Sequence, residues 1–502
     1  MPSSHPSLAG HQYRSFRATL RRPGTARPAR WLGGVAAGFT LLQLLLVVPG
    51  IGLGWDETVY VSQSGRDAPA AYLSAPRARG ISYLVAPVVS WSSSEPLLRI
   101  YLAVLSGLAL FLALWVWRRL LPVPVLALAG GLFGTLWITL FYGPQVMPNL
   151  WVALAALLTT GCVLRAARDP LDRRALVAAG LGLACAALLR PGDAVWLALP
   201  LAAAVLAVRA WRRPLLLAVL AAGALLGALP WIVEAHLSYG GLLTRLERAG
   251  EIQGGLGWSL AFDDQLRSLN GRSLCRPCTV GWTHPWTALW WLLLPVPAAA
   301  GAVAAARTRH RAPVLLATAA GLSLAVPYLL LIDYAAPRFL LPAYALLALP
   351  VALCLLRLAT HTRPHLRRAA VAAVAVGLLG HLAVQYAVLH GAVERSGAAG
   401  RAVSRAAAEL NRLGVRPPCT VSGHDAIRVA HRAGCASRQV GGHDGSITAA
   451  GLRATARRQP VAVLVAGDRE PPPYARGWAR HPLPSWSSSP SYAAYLAPAA
   501  VR

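Results

Sequence analysis

Residues 31–63 read WLGGVAAGFTLLQLLLVVPGIGLGWDETVYVSQ. No charged side chain interrupts this stretch before Asp56, and an uncharged run of that length is what a helix needs to cross about 30 Å of hydrocarbon at about 1.5 Å per residue. Working outward from a first span at 31–53, comparable runs recur at 100–117, 121–141, 149–164, 175–189, 194–208, 214–233, 287–306, 312–332, 339–356 and 369–390. The pattern predicts an all-α polytopic membrane protein of eleven spans. Composition agrees: of 502 residues 56% are hydrophobic and only 13% charged, against about a quarter charged in soluble domains. A single soluble domain, a disulfide scaffold and a disordered chain are all excluded.

The net charge of +29 would ordinarily suggest a nucleic-acid partner, but its placement argues for topology instead. All 48 basic residues are arginine. With the amino terminus in the cytoplasm, the segments 1–30, 118–120, 165–174, 209–213, 307–311 and 357–368 hold 22 arginines against two acids, Asp169 and Asp172. Arginine flanks of this kind hold loops on the cytoplasmic side, so no nucleic-acid partner is expected. The 30-residue arginine-rich lead precedes an apolar run too long for a signal peptide and reads as a cytoplasmic segment before an uncleaved anchor. Arg21-Arg22 lacks the rest of a twin-arginine signal. An odd span count places the tail outside a cell membrane.

Two outer loops between spans are long, 54–99 and 234–286, and chemistry is expected there. The run ISYLVAPVV at 81–89 is too short to span and is expected to lie along the membrane surface or dip into it. From 391 to 502 the chain turns polar and mixed, with the period shifts of a small extracytoplasmic α/β domain: helices at 398–413, 425–433 and 447–458, and strands at 419–422 and 461–466. Beyond Glu470 the pattern is weak, and Trp-Ser-Ser-Ser occurs at both 91–94 and 486–489.

Asp56 and Glu57 are adjacent carboxylates at the outer end of the first span. They read either as a solvated flank or as a site: a carboxylate at the membrane surface can take a proton from an acceptor hydroxyl or hold a divalent cation while a lipid-borne donor approaches from the bilayer. Trp55 and Tyr60 beside them, and Gln145 and Asn149 in the turn before the fourth span, are candidate substrate contacts. Trp91 and Trp258 suit either sugar stacking or an interfacial belt. On the oxidising side, Cys275 and Cys278 are expected to form a local disulfide and Cys419 and Cys435 another. His424-Asp425 and His443-Asp444 fit turn and capping roles better than a metal site.

Four weak motifs in order carry a resemblance: Asp56-Glu57 after the first span, Met147-Pro148 before the fourth, Leu229-Pro230-Trp231 with Tyr239-Gly240-Gly241 at the seventh, and Arg338-Phe339-Leu340-Leu341-Pro342 opening the tenth. Over about residues 31–357 the chain resembles the GT-C membrane glycosyltransferases, in the branch of protein O-mannosyltransferases and the lipid A aminoarabinose transferase. The resemblance implies a catalytic membrane domain over 31–390 that moves one sugar from a polyprenyl-phosphate donor to an acceptor on the outer face. It implies Asp56 as general base, with Glu57 assisting or binding a divalent metal together with Asp56. Relatives often carry an acid where Gln145 and Asn149 stand here. Arginine suits a phosphate through its planar fork, and Arg338 and Arg190 are the candidates, each of which could instead pair with Asp333 or Asp193. The competing classes are a transporter or flippase of lipid-linked or small solutes, which would place ionisable groups near the midplane, and an inactive scaffold of the same fold.

Overall fold

Proline opens several of the helices: Pro148, Pro191, Pro214 and Pro364 each stand in the first turn, where the ring fixes φ and the missing N–H has no intrahelical partner to lose. The computed structural model describes residues 28–255, 257–276, 278–279, 281–484 and 492–498. In chain order the membrane part comprises α1 (Pro28–Leu46), α2 (Trp55–Ser62), α3 (Gly80–Val89), α4 (Glu95–Trp117), α5 (Val123–Gly134), α6 (Trp137–Tyr142), α7 (Pro148–Arg168), α8 (Arg173–Leu189), α9 (Pro191–Ala207) and α10 (Pro214–Tyr239). It continues with α11 (Leu242–Ile252), α12 (Phe262–Ser268), α13 (Leu289–Leu293), α14 (Pro295–Ala306), α15 (Arg311–Leu330), α16 (Leu341–His361) and α17 (Pro364–Arg412).

Among the described residues, eight helical segments are long and apolar enough to cross a membrane. The eleven expected spans are all helical, but three differ from a plain crossing. The run 121–141 breaks at Thr135–Leu136 between α5 and α6, where the Trp137 N–H is taken by Gln385 Oε1 at 2.8 Å. Helices α8 and α9 have 17 residues each, about 26 Å, and meet at Arg190. Helices α7 and α16 form the buried centre of the bundle, whereas α17 is largely exposed. Small residues let α8 and α10 touch: a Cβ on Gly223 would collide with the Gly180 carbonyl, and one on Gly227 with that of Ala184, a small-xxx-small interface.

The boundary expected at 391 falls inside a helix. The eleventh span and the helix expected at 398–413 are one 49-residue element, α17, because no glycine turn or proline interrupts 364–412. Past it come β1 (Thr420–Gly423), α18 (Ala426–Ala433), β2 (Ala436–Ser437), α19 (Ala449–Ala456), β3 (Val461–Ala466), β4 (Ala479–Pro482) and β5 (Tyr492–Leu496). They form a five-stranded sheet of order β2-β1-β3-β5-β4. Strand β1 runs parallel to β2 and β3, and β5 antiparallel to β3 and β4. The stretch beyond Glu470 thus supplies two strands that its sequence pattern did not announce. Val403, Ala406, Ala407 and Leu410 of α17 pack into the sheet's own core with Val421, Val429 and Leu464, so the end of the last long helix is also the first helix of the α/β domain. Residues 1–27, with Arg21-Arg22, and the second Trp-Ser-Ser-Ser at 486–489 lie outside the described residues.

Candidate active site

Adjacent residues on a helix point about 100° apart, so Asp56 and Glu57, both in the first turn of α2, cannot share a task. Glu57 turns inward and is 2% exposed. Its carboxylate accepts from Arg99 Nη1 and from Arg99 Nη2 at 3.0 Å, from the Val146 N–H at 2.7 Å and from the Gly54 N–H at 2.8 Å. Arg99 in turn donates to the carbonyls of Pro144 and Gly52, both at 2.9 Å. Four donors occupy the acceptor positions a carboxylate offers. The expectation that Glu57 assists catalysis or binds metal is therefore corrected: it is a buried clamp joining α2, α4 and the turn before Met147-Pro148.

Asp56 turns the other way, into a ring of arginines. Its Oδ1 meets Arg77 Nη2 at 2.8 Å and its Oδ2 meets Arg338 Nη2 at 3.0 Å. Burial alone would push the Asp56 carboxyl up, but Arg77, Arg338 and, further off, Arg190 outweigh it and hold the group below its ordinary value. Arg338 also donates to the Ser273 carbonyl at 2.6 Å, and its acid partner is Asp56 rather than Asp333. Arg190 pairs with Asp193 at 2.8 Å and donates to the Tyr328 hydroxyl at 2.7 Å. The guanidiniums of Arg190 and Arg338 each lie 5.4 Å from the centroid of the Phe339 ring, which brings the two expected phosphate arginines to one place.

Arg77 was not among the expected residues, and its neighbours explain the motifs that were. The loop 73–79 that carries it is held from the second long loop and the end of α10. Trp231 Nε1 and Arg245 Nε donate to the Ala75 carbonyl at 3.3 and 3.1 Å, Arg245 Nη2 to the Arg77 carbonyl at 3.0 Å, and the Tyr239 hydroxyl to the Leu73 carbonyl. Arg245, fully buried, lies 4.3 Å over Trp231 and 4.6 Å over Tyr239 and pairs with Glu234, which also holds Arg79 at 2.6 Å. Leu229-Pro230-Trp231 and Tyr239-Gly240-Gly241 are thus the cradle of the Arg77 loop, with Gly240 supplying the left-handed φ of 78° that ends α10. Only two arginines, Arg77 and Arg79, stand close together there, and no spacing separates one from the other.

Of the expected substrate contacts, Trp55 lies under Arg77 with 5.0 Å from guanidinium carbon to ring centroid. Tyr60, one turn beyond Asp56, is buried, and burial, opposed by the Arg77 charge and helped by that of Asp56, pushes its phenol up. Gln145 is spent on its own turn, donating to the Phe141 carbonyl at 3.0 Å. Asn149 is fully buried near the start of α7, and neither atom of its amide has a hydrogen-bond partner. Among the described residues, no hydrogen bond joins Gln145 or Asn149 to Asp56.

The donor set does not fit a divalent cation. Asp56 spends both oxygens on guanidiniums, Glu57 is clamped, and the described residues contain no group of three or more His, Cys, Asp or Glu that could hold one. Two disulfides are formed, Cys275–Cys278 and Cys419–Cys435. A cavity of about 500 Å³ beside α2 lies between the segment after α1 and residues of α17 and α18, and is lined by Thr58, Glu95, Arg401, Arg405, His431 and Arg432 among others.

No family model and no curated protein sequence matches the chain. Solved structures do. ArnT from Cupriavidus metallidurans bound to undecaprenyl phosphate superposes with a TM-score of 0.67 at 13% identity, over 94% of this chain and 98% of that one. The apo state of that protein gives 0.61 at 14% identity over 98% and 99%. The Archaeoglobus fulgidus oligosaccharyltransferase tethered with an acceptor peptide gives 0.51 at 13% identity, over 87% of this chain and 69% of that one. From α1 through the terminal sheet, the chain has the fold of ArnT from Cupriavidus metallidurans.

Proposed function

We propose that this protein is a membrane glycosyltransferase that moves one sugar from a polyprenyl-phosphate carrier to an acceptor hydroxyl at the outer face of the cell membrane. The observation that carries the reading is Asp56 held at 2.8 and 3.0 Å between Arg77 and Arg338. It puts a proton acceptor beside two planar cations of the kind that bind phosphate. The relative with undecaprenyl phosphate bound supports a carrier of that chemistry. In the reaction the acceptor oxygen attacks the anomeric carbon and its proton passes to Asp56. The bond from that carbon to the phosphate oxygen breaks with its electron pair on the phosphate, whose new charge Arg77 and Arg338 stabilise, with Arg190 behind them. Trp55 and Tyr60 flank the sugar.

The test is a strain lacking the protein, complemented at equal membrane abundance with wild type or Asp56→Asn. Wild type should restore one hexose- or pentose-sized mass to an envelope glycoconjugate and Asp56→Asn should not. Full restoration by the variant would leave Asp56 a structural ion-pair partner of Arg77 and Arg338 and favour transport or scaffolding.

A further inference from the structure

Arg77 has a second acid partner, and it comes from the far end of the chain. Nη1 of Arg77 meets Asp444 Oδ1 at 3.1 Å, across 367 residues, while Nη2 of the same guanidinium holds Asp56. Both side chains are largely buried, at 14% and 12% exposure. Around Asp56 the pairs are then Arg77, Arg338 and Arg190 against Asp56, Asp444 and Asp193. The cluster is neutral as it stands, so a phosphate can enter it favourably only if one carboxylate gives way.

The three acids differ in how they are held. Asp193 is 3% exposed, on α9 with Arg190 and the Tyr328 hydroxyl on its carboxylate. Asp56 is fixed in the first turn of α2 between two arginines. Asp444 sits at the tip of a loop between β2 and α19 with glycine at 441, 442 and 445, of which Gly442 has a φ of 79°. The loop is closed at its base, where the Ser446 N–H donates to the Gln439 carbonyl at 2.8 Å and the Gln439 N–H to Ser446 Oγ at 3.1 Å. Its tip can therefore leave Arg77 without disturbing the sheet.

We infer that Asp444 is a positioning residue of the donor site: it occupies the place of the carrier phosphate on Arg77, is displaced when the polyprenyl-phosphate donor binds, and returns to expel the carrier phosphate after transfer. This rests on the reading of the site given above. Transfer converts the phosphate from a diester carrying one charge to a monoester carrying up to two, so the spent carrier would bind the arginines more tightly than the donor. A competing carboxylate on a hinged loop counters that product trap. It also ties the α/β domain to the state of the donor site, because the loop is released while phosphate is bound.

The experiment measures equilibrium binding and dissociation of a polyprenyl phosphate by the full-length protein in lipid nanodiscs, with hydrogen exchange over 438–447 read in parallel. Asp444→Asn removes the competitor and should bind at least threefold tighter with slower dissociation. Asp444→Glu should restore wild-type binding, and the neighbouring His443→Ala should bind as wild type. In wild type, exchange in the loop should rise on addition of the polyprenyl phosphate, and in Arg77→Ala it should be high without it. Unchanged or weaker binding by Asp444→Asn, with loop exchange indifferent to the ligand, overturns the role of Asp444 and leaves the transferase reading standing. Failure of both wild type and Asp444→Asn to bind any polyprenyl phosphate overturns both.

Discussion

Glu57 and Arg99 form an ion pair in which neither side chain is more than 2% exposed. One residue away, Asp56 is 30% exposed and faces the arginine ring. Breaking a buried pair by removing one partner leaves an uncompensated charge and costs about 3–5 kcal/mol. Glu57→Gln and Arg99→Met should therefore lower thermal stability and membrane abundance sharply, whereas Asp56→Asn, at a carboxylate 30% exposed, should cost less stability than either and abolish sugar transfer. Thermal unfolding of detergent-solubilised protein beside the transfer assay separates the two carboxylates. Equal stability in Glu57→Gln would remove the clamp.

Arg338→Ala should raise the donor KM at least tenfold with little change in melting temperature. Arg338→Lys should recover only part of it, because an ammonium cannot hold Asp56, the Ser273 carbonyl and a phosphate in one plane. Titration of donor at saturating acceptor gives the answer, and an unchanged KM would take Arg338 out of the donor site.

Arg245 touches no reacting group, yet it holds the Ala75 and Arg77 carbonyls. Arg245→Met should loosen residues 73–79 selectively, seen as faster hydrogen exchange in that loop, and should raise donor KM in step. Exchange that rises over the whole chain would mean a general folding role instead.

The depressed pKa of Asp56 fixes the direction of a pH effect. In the folded protein this carboxyl stays ionised below the ordinary carboxylate range, so the acid limb of kcat/KM should lie below that range. The stability its ion pairs contribute is complete above the unfolded value and is lost as pH falls through the depressed one. Arg77→Gln removes the first of the lowering charges and leaves burial, which raises. The acid limb should move up in that variant, and a limb that stays in place would assign it to another group.

What could be read from the chain followed the range of the interactions involved. Spans are set by local hydropathy, so all eleven expected segments are helical, and strand β3 lies where the run Val461–Ala466 put it. Asp56 stood out because an acid just past a long apolar run is visible in one window. Arg77 did not, and Asp444 read only as a turn or capping residue, because their meaning depends on contacts made across 21 and 367 residues. The same limit explains Glu57: nothing in Asp56-Glu57 says which carboxylate Arg99 will claim. Strands β4 and β5 were missed because short segments such as Ala-Arg-His-Pro lack alternation and become strands only by pairing with one another and with β3.

Helix α17 runs unbroken for 49 residues, a rod of about 74 Å of which about 30 Å suffices to cross the hydrocarbon. The remainder is an arm, and the α/β domain is bolted to it through Val403, Ala406 and Leu410. A tilt of about 5° at the membrane end swings the far end of such a rod by roughly 6 Å, twice the separation at which Asp444 holds Arg77. Packing against neighbouring helices and interfacial anchors sets the tilt of a membrane helix, so a substitution that shifts the membrane half of α17 should be felt at the Arg77–Asp444 pair.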